Sequence, residues 1–314
     1  MTNSSAPPAP FGRMLTAMAT GFTVDGEVDE EATARIATHL INNGHDGLVV
    51  SGTTGESATT TTAEDGRILR VVKEAVGNRA KIVAGVGTND TRHTLELARQ
   101  AAAHGADGLL LVTPYYNKPS QGGILQHFRY VVDAVDVPVM LYDIPSRSGT
   151  KLTPSTFEVM ADWPAVVAVK DAAGDPTQTI LLRELGYAVY SGDDSLNLGF
   201  LAYGACGVVS VVGHVAGNEL RAMIDAFFSG NLAAAQAINA RLQPALRAMM
   251  GVPNYGATTA KGALQLQGVL QNRAVRSPLL ALDDAEYEAL RAGLTASGLL
   301  WPVQFSASKK DRHL

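Results

Sequence analysis

Short apolar runs recur along the chain at intervals of about 20–35 residues, the spacing of alternating strands and helices. They are rich in Val, Ile or Leu and lack the strict polar alternation of a strand with one exposed face. Strands that are buried on both faces, as in parallel sheets, show this continuous pattern. The runs are MLTAM (14–18), GLVVSG (47–52), KIVAGVG (81–87), GLLLVTP (108–114), VPVMLYDI (137–144), VVAVKDA (166–172), AVYSGDD (188–194) and GVVSVVG (207–213).

Segments with helical periodicity separate these runs, and several of them end in glycine, a common residue just after a helix. Examples are EEATARIATHLINNG, DGRILRVVKEAVGN and TRHTLELARQAAAHG. Eight strands that alternate with helices predict an α/β fold, a closed (β/α)8 TIM barrel. An open doubly wound sheet is the alternative, but no G-x-G-x-x-G dinucleotide fingerprint follows the first run.

The chain beyond the eighth apolar run is mostly helical in pattern, which predicts the last barrel helix followed by a C-terminal helical extension. The first ten residues, MTNSSAPPAP, are polar and proline-rich and lack the apolar core of a signal peptide. We therefore predict a disordered tail at 1–11, the barrel at 12–230, a helical bundle at 231–305 and a flexible tail at 306–314.

The composition is ordinary for a soluble enzyme, with 46% hydrophobic and 18% charged residues among 314 and a formal net charge of −5. No basic run indicates a nucleic-acid partner, and no apolar run approaches the ~20 residues of a membrane span. The single cysteine, Cys206, excludes an internal disulfide and fits a reducing compartment. We expect a cytoplasmic enzyme without nucleic-acid or membrane partners.

Polar residues follow the apolar runs at the ends that would form the active-site face of a barrel. They are Thr53, Thr54, Tyr115, Tyr116, Tyr142, Arg147 and Lys170, and Gly192 adds a backbone amide. The histidines are scattered, and neither a Walker loop nor a catalytic Ser–His motif is present. We therefore expect neither a metal nor another cofactor.

Lys170 ends the apolar run VVAVK, which is an unusual place for an ammonium group. Burial in a barrel mouth would disfavour the charge, lower the pKa and leave a neutral amine. Such an amine attacks a carbonyl carbon and forms a Schiff base, whose protonated form acidifies the neighbouring carbon. This interpretation predicts metal-free aldolase chemistry. The alternative is a lysine that reaches solvent or pairs with Asp171.

Two further segments carry groups that bind carboxylates. Backbone amides and two hydroxyls in GTTGES (52–57), at a helix start, would hold the carboxylate of a 2-oxo acid. The alternative is a plain turn and helix cap with Glu56 in the first helical turn. Arg147 follows a proline turn and would bind a carboxylate through two hydrogen bonds, unless it is an ordinary surface arginine.

Five motifs together resemble the dihydrodipicolinate synthase family, within the class I pyruvate-dependent aldolases of N-acetylneuraminate lyase type. They are GTTGES (52–57), TPYYNKPSQ (113–121), YDIPSRSG (142–149), VKDAAGD (169–175) and SGDD (191–194). The resemblance covers roughly residues 12–300. It implies condensation of pyruvate with L-aspartate 4-semialdehyde for diaminopimelate and lysine biosynthesis, without a cofactor, by a homotetramer built as a dimer of dimers.

The resemblance also implies four catalytic residues. Lys170 would form the Schiff base with pyruvate, and Tyr142 would transfer protons during imine formation. Thr53 would link Tyr142 to Tyr116, which the neighbouring subunit would supply. Such a relay would reach solvent and would require an oligomer.

Four further residues would bind substrate by the same resemblance. Thr54, with adjacent amides, would hold the carboxylate of pyruvate, and Arg147 would hold that of the semialdehyde. Gly192 and the backbone of Val209 would line the pocket.

Some positions depart from the family pattern. Asp143 stands where asparagine is common, and GATTAKGAL (256–264) replaces a segment that usually contains proline. His93 stands where lysine-inhibited relatives have a glutamate that holds the α-amino group of lysine, so we expect weak or absent inhibition by lysine.

Two rival functions stay open at this point. One is another aldolase on the same scaffold, acting on N-acetylneuraminate, a 2-keto-3-deoxy sugar acid or 4-hydroxy-2-oxoglutarate. Arg147, the paired Tyr115–Tyr116 and Thr53 favour the synthase over it. The other is a catalytically inactive barrel used for binding, since fold alone does not determine function.

Overall fold

A computed structural model describes residues 6–253 and 255–300. Eight parallel strands form a closed barrel in which each strand pairs with the next and the eighth pairs with the first. They are β1 Met14–Ala17, β2 Gly47–Val50, β3 Lys81–Gly85, β4 Gly108–Val112, β5 Val139–Asp143, β6 Val166–Asp171, β7 Ala188–Ser191 and β8 Gly207–Ser210. Each strand lies within one of the predicted apolar runs, so the predicted (β/α)8 barrel is confirmed.

Helices surround the barrel and continue beyond it. They are α1 Glu30–Asn42, α2 Thr62–Val76, α3 Thr91–Ala103, α4 Gln121–Val132, α5 Pro145–Ser148, α6 Pro154–Ala161, α7 Gln178–Glu184, α8 Asn197–Ala202, α9 Gly213–Phe228, α10 Leu232–Met250, α11 Ala257–Leu266 and α12 Asp284–Ala296. Among the described residues, no helix is long and apolar enough to cross a membrane.

The strands read as continuous apolar runs because both of their faces are buried. Inward-facing side chains such as Leu15, Val49 and Met140 fill the barrel interior. Outward-facing ones such as Leu48 and Leu141 pack against the surrounding helices. Polar groups on the inner face are therefore enclosed by protein.

Phe11 closes the amino-terminal end of the barrel, at the edge of the predicted tail. Its side chain is buried, and its backbone N–H donates to the hydroxyl of Tyr190 at 3.2 Å. The first residue of β4 is glycine because a Cβ on Gly108 would lie 2.4 Å from the Phe11 ring. The folded core therefore includes a residue of the segment predicted as a tail, while positions 1–5 lie outside the described residues.

The last three helices form the C-terminal extension, and they share an apolar cluster with α9. The predicted boundary at residue 230 lies in the short link between α9 and α10. A loop connects α11 to α12 and carries Ala274 and Arg276 back toward β2. The predicted tail at 306–314 lies outside the described residues.

Candidate active site

Lys170 and Tyr142 lie side by side at the carboxyl end of the barrel. They occupy paired positions on β6 and β5, and both side chains face inward. The Lys170 Nζ atom lies 4.2 Å from the centre of the Tyr142 ring. Their exposures are 5% and 7%, so the amine is sheltered from bulk water and close to a phenol. The alternative of a solvent-reaching lysine does not fit this geometry.

Burial decides the charge of both groups. Loss of hydration lowers the pKa of Lys170 to about 8, against a smaller opposing effect of Asp194, and Arg147 lowers it further. At pH 7.5, a shift from 10.5 to 8 enlarges the neutral fraction of the amine roughly 200-fold. Burial also raises the pKa of Tyr142, so its phenol stays protonated and neutral.

Gly192 makes room for the lysine side chain. It directly follows β7, and a Cβ at this position would lie 3.1 Å from the Lys170 Cε and 3.0 Å from the Asp171 carbonyl oxygen. These approaches are tighter than ordinary van der Waals contacts. The glycine therefore lines the cavity beside the amine, as the predicted pocket requires.

The segment GTTGES forms a tight turn that is separate from the following helix. Residues Thr53–Gly55 form one 3-10 turn, whereas α2 begins at Thr62. The amides of Gly55 and Glu56 donate within the turn, to Gly52 and Thr53. The helix that starts in this segment is therefore a single 3-10 turn and not α2, and carboxylate binding here would depend on the backbone N–H and hydroxyl groups of Thr53 and Thr54. Thr54 is buried and Thr53 is exposed to the cavities.

Arg147 lies in α5 at the rim of the same cavity. Its guanidinium stacks over the ring of Tyr255, 4.9 Å from the ring centre. Such stacking holds an exposed arginine in place and leaves its N–H groups free to bind a planar anion. The sequence placed Arg147 at the mouth but gave no sign of Tyr255, which comes from the C-terminal extension.

Two adjoining cavities meet at these residues. The inner one, of about 310 Å³, is lined by Lys170, Thr54 and Gly192. The outer one, of about 620 Å³, is lined by Tyr115 and Tyr116. Both share a common wall of Gly52, Thr53, Leu110, Tyr142, Ile144 and Arg147. Seven of the predicted site residues therefore line one continuous space.

The eighth predicted residue, Val209, is placed differently. Its side chain packs in the barrel interior with an exposure of 2%, and it is paired with Leu15 of β1. The cavity wall near β8 is formed by Val211, two residues further on. Val209 was chosen from the family resemblance, and Val211 lies just beyond the end of β8, nearer the barrel mouth.

Tyr116 projects from the β4–α4 loop into solvent. It is 87% exposed and has a φ of +71°, a left-handed conformation that is uncommon for a bulky residue. Strain of this kind persists where the surrounding structure holds it and is concentrated at functional sites. Tyr116 lines only the outer cavity of this chain and does not border the amine.

Asp194 supports the floor of the site, a role that the motif SGDD did not reveal. Its carboxylate accepts hydrogen bonds from Ser210 Oγ at 2.5 Å and from the backbone N–H groups of Val211 and Val212 at 2.6 and 2.9 Å. These bonds tie the end of β7 to the loop after β8. They also place a carboxylate near Lys170.

Asp143 and Asp171 form a buried acidic pair directly behind the active site. They occupy paired positions on β5 and β6, one residue beyond Tyr142 and Lys170, and both are fully buried. Each has one carboxyl oxygen, Oδ2, without a hydrogen-bond partner among the described residues. Burial raises the pKa of Asp143 to about 7 and that of Asp171 to about 6, against smaller opposing effects of the hydrogen bonds from the Leu152 and Ala173 backbone N–H groups.

We expect Asp143→Asn to stabilise the protein more at pH 8 than at pH 5. A carboxyl group whose pKa is raised on folding stabilises the fold below its unfolded value and loses that contribution as the pH rises through about 7. Asparagine keeps the acceptor for Leu152 N–H and can donate to Asp171. In urea titrations, the unfolding free energy of Asp143→Asn relative to the parent protein should be about 2 kcal/mol higher at pH 8 than at pH 5.

Asp133→Asn is the control for this measurement, because Asp133 pairs with Arg129 on the surface. Its effect should be below about 0.5 kcal/mol at both pH values. Equal gains for Asp143→Asn at pH 5 and pH 8 would contradict the expectation.

No group of three or more His, Cys, Asp or Glu side chains within 6–253 and 255–300 is placed to hold a metal ion. The residues that line the two cavities supply the Lys170 and Lys118 amines, phenols, hydroxyls, one guanidinium and the Asp193 carboxylate. Together with the closed barrel, a sheltered amine at the carboxyl ends of the strands is typical of class I aldolases.

The comparison with known sequences is more specific. The sequence profile of the Dihydrodipicolinate synthetase family matches residues 10–297, and the chain belongs to this family. A 4-hydroxy-tetrahydrodipicolinate synthase of Kineococcus radiotolerans is 54% identical over 299 residues, which is 94% of this chain and 96% of that protein. The 4-hydroxy-tetrahydrodipicolinate synthase 2 of Streptomyces coelicolor is 51% identical over 300 residues, covering 95% and 99%.

Solved structures agree with this assignment. The crystal structure of DHDPS from Cyanidioschyzon merolae with lysine bound has a TM-score of 0.89 and 40% identity to this chain, covering 93% of it and 100% of that chain. The dihydrodipicolinate synthase DapA-2 of Bacillus anthracis has a TM-score of 0.87 and 39% identity, covering 91% and 98%. The resemblance of the five motifs is thus confirmed at the level of the family.

Proposed function

We propose that this protein condenses pyruvate with L-aspartate 4-semialdehyde, as a 4-hydroxy-tetrahydrodipicolinate synthase of diaminopimelate and lysine biosynthesis. The observation that carries the proposal is the sheltered amine of Lys170, 4.2 Å from the Tyr142 ring and facing a cavity with hydroxyls and a guanidinium. Two relatives that are named for this activity support it, since they are 54% and 51% identical to this chain over nearly its whole length.

The first half of the reaction follows from the inner cavity. The neutral Lys170 amine attacks the carbonyl carbon of pyruvate, whose carboxylate Thr54 would hold. Tyr142 would supply a proton to the departing oxygen, so that water leaves and an imine forms. Loss of a proton from the methyl group of pyruvate then gives the enamine.

The second half requires a second acidic substrate. The enamine carbon attacks the aldehyde carbon, and Arg147 at the rim would bind the carboxylate of this substrate. The amine of the substrate then attacks the imine carbon, closes the ring and releases Lys170. No oxidant, reductant or metal is needed to balance these steps.

We further propose that the functional unit is a cytoplasmic homotetramer, a dimer of dimers. The exposed and strained Tyr116, which does not border the amine of its own subunit, supports a site completed across an interface. In this arrangement, Thr53 would link Tyr142 to the Tyr116 of the partner subunit, and the outer cavity would receive that ring.

A substrate comparison tests the proposal. Activity with pyruvate and L-aspartate 4-semialdehyde should exceed that with pyruvate and N-acetylmannosamine or small sugar aldehydes by at least about 100-fold in kcat/KM, because only an acidic substrate uses Arg147. Comparable or greater activity with the sugar aldehydes would favour a sugar-acid aldolase. Absence of both activities and of any borohydride-trapped pyruvate adduct would favour an inactive barrel.

A further inference from the structure

The Thr53–Gly55 turn ends on a residue in an unfavourable backbone conformation. Glu56 has a φ of +61° and a ψ of 35°, which is the left-handed region that glycine prefers. A glutamate stays in this region only where other contacts hold it. Its side chain points away from the cavity into the protein, and its accessible surface is only 1%.

Both oxygens of the Glu56 carboxylate are bound by the C-terminal extension. Lys261 of α11 donates to Oε1 at 2.5 Å, and the backbone N–H of Arg276 donates to Oε2 at 2.8 Å. Lys261 is itself 1% exposed, donates to the carbonyl of Ala274 at 2.8 Å and lies 4.1 Å from the centre of the Phe22 ring. The pair is therefore enclosed on all sides and has a fixed geometry.

A second ion pair fastens the chain that follows the turn. The Arg276 guanidinium binds the Glu64 carboxylate at 2.5 and 3.0 Å, and it also donates to the carbonyl of Thr59 at 2.8 Å. Glu64 belongs to the first turn of α2. The extension thus holds both Glu56 and the start of α2. Lys261 binds the Glu56 carboxylate through its own side chain, whereas Arg276 binds it through its backbone N–H.

We propose that Lys261 is a positioning residue for the carboxylate pocket at Thr53 and Thr54, acting through Glu56. This inference rests on the proposed function, because it assigns the pocket to pyruvate. The buried pair holds Glu56 in its left-handed conformation. Glu56 in turn fixes where the turn places the hydroxyl and backbone N–H groups of Thr53 and Thr54. The C-terminal extension is therefore part of the substrate-binding apparatus and not only a cover on the barrel.

The proposal predicts an effect on one substrate and not on the other. Thr54 lies on the turn after β2, whereas Arg147 lies on α5 after β5 and is held by Tyr255. A loosened turn should weaken pyruvate binding and leave the semialdehyde contact in place. General loss of stability would give no such difference.

The experiment is Lys261→Met in the full-length protein. The pyruvate concentration that half-saturates adduct formation, measured by borohydride trapping and mass spectrometry, should rise by about 10-fold or more, since small displacements of binding groups have effects of this size. The KM for L-aspartate 4-semialdehyde should change by no more than about twofold, because the Arg147 contact does not depend on the turn. Thermal unfolding is recorded for each variant to establish that it is folded.

Leu242→Ala is the matched control, because Leu242 is a fully buried residue of α10 in the same extension and its truncation also costs stability. It should leave the half-saturating pyruvate concentration within about twofold of the parent value, because the turn is not displaced. Glu56→Gln keeps the size of the side chain and removes its charge, and it should raise the pyruvate value in the same direction as Lys261→Met. If Lys261→Met does not fold, Glu56→Gln decides the question.

A folded variant with an unchanged pyruvate value, or a rise that Leu242→Ala reproduces, would overturn the proposal. Failure of the proposed function has a different signature, because the parent protein itself would then form no pyruvate adduct.

Discussion

Lys170→Ala is expected to abolish the pyruvate adduct and to lower kcat/KM by at least about 10⁴-fold, the range seen when a covalent nucleophile is removed. Among the described residues, Lys170 is the only lysine that lines the inner cavity. Burial lowers the pKa of its amine to about 8. Without it, no imine forms and the methyl group of pyruvate keeps its ordinary acidity. Borohydride trapping with mass spectrometry and a steady-state assay measure the two effects.

Lys73→Ala provides the control for this prediction. Lys73 pairs with Asp107 outside the barrel mouth and is partly exposed. Its replacement should leave both the adduct and kcat/KM unchanged. The Lys170→Ala protein should be no less stable than the parent, because it loses a buried amine that is costly to desolvate. An adduct of undiminished yield in Lys170→Ala would place the Schiff base on another residue and refute the mechanism.

The sequence indicated Lys170 because of where the apolar run ends. A continuous run predicts a strand that is buried on both faces, so its terminal lysine has to lie inside the barrel or among the helices. The structure shows the inner position, with Tyr142 paired beside it. The strands and the residues that follow them could be predicted because both depend on local periodicity and on the shared edge of parallel strands.

Contacts between distant segments could not be predicted in this way. Glu56 and Lys261 are separated by 205 residues, and each has an ordinary local context, so the alternative to a binding role placed Glu56 only in a first helical turn. The stacking of Arg147 on Tyr255 joins the barrel to the extension in the same manner. Helical periodicity predicts that such helices exist, but it carries no information on which barrel loop they contact.

The sequence also could not separate neighbouring positions that differ only in depth. Val209 and Val211 are the same residue type two positions apart, yet only Val211, just beyond the end of β8, lines the cavity. The left-handed conformations of Glu56 and Tyr116 were likewise not apparent, because neither residue is a glycine. Contacts with distant parts of the chain decide the backbone geometry at Glu56 and Tyr116. The motifs that contain these residues therefore identified the region of the site but not its backbone conformation.

Tyr142→Phe should lower kcat by about 10²–10⁴-fold, the usual contribution of a positioned acid–base group. Phenylalanine keeps the ring that lies 4.2 Å from the Lys170 Nζ atom, so the position of the amine should be retained. Only the hydroxyl that would protonate the departing oxygen is lost. Burial raises the pKa of this phenol, so the hydroxyl carries its proton throughout the neutral range. Stopped-flow measurement of imine formation, alongside steady-state kcat, separates the chemical step from substrate binding.

Tyr190→Phe is the matched control, since Tyr190 is also a buried tyrosine on an inward-facing position and is paired with Lys170 across β6 and β7. Its hydroxyl points to the other end of the barrel, where it accepts the Phe11 N–H. The substitution should cost about 1 kcal/mol of unfolding free energy and leave kcat within about twofold. A Tyr142→Phe enzyme that forms the imine at the parental rate would show that another group supplies the proton. A large loss of kcat in Tyr190→Phe would instead show that the barrel interior does not tolerate the loss of a buried tyrosine hydroxyl. The Tyr142→Phe result would then reflect packing and not proton transfer.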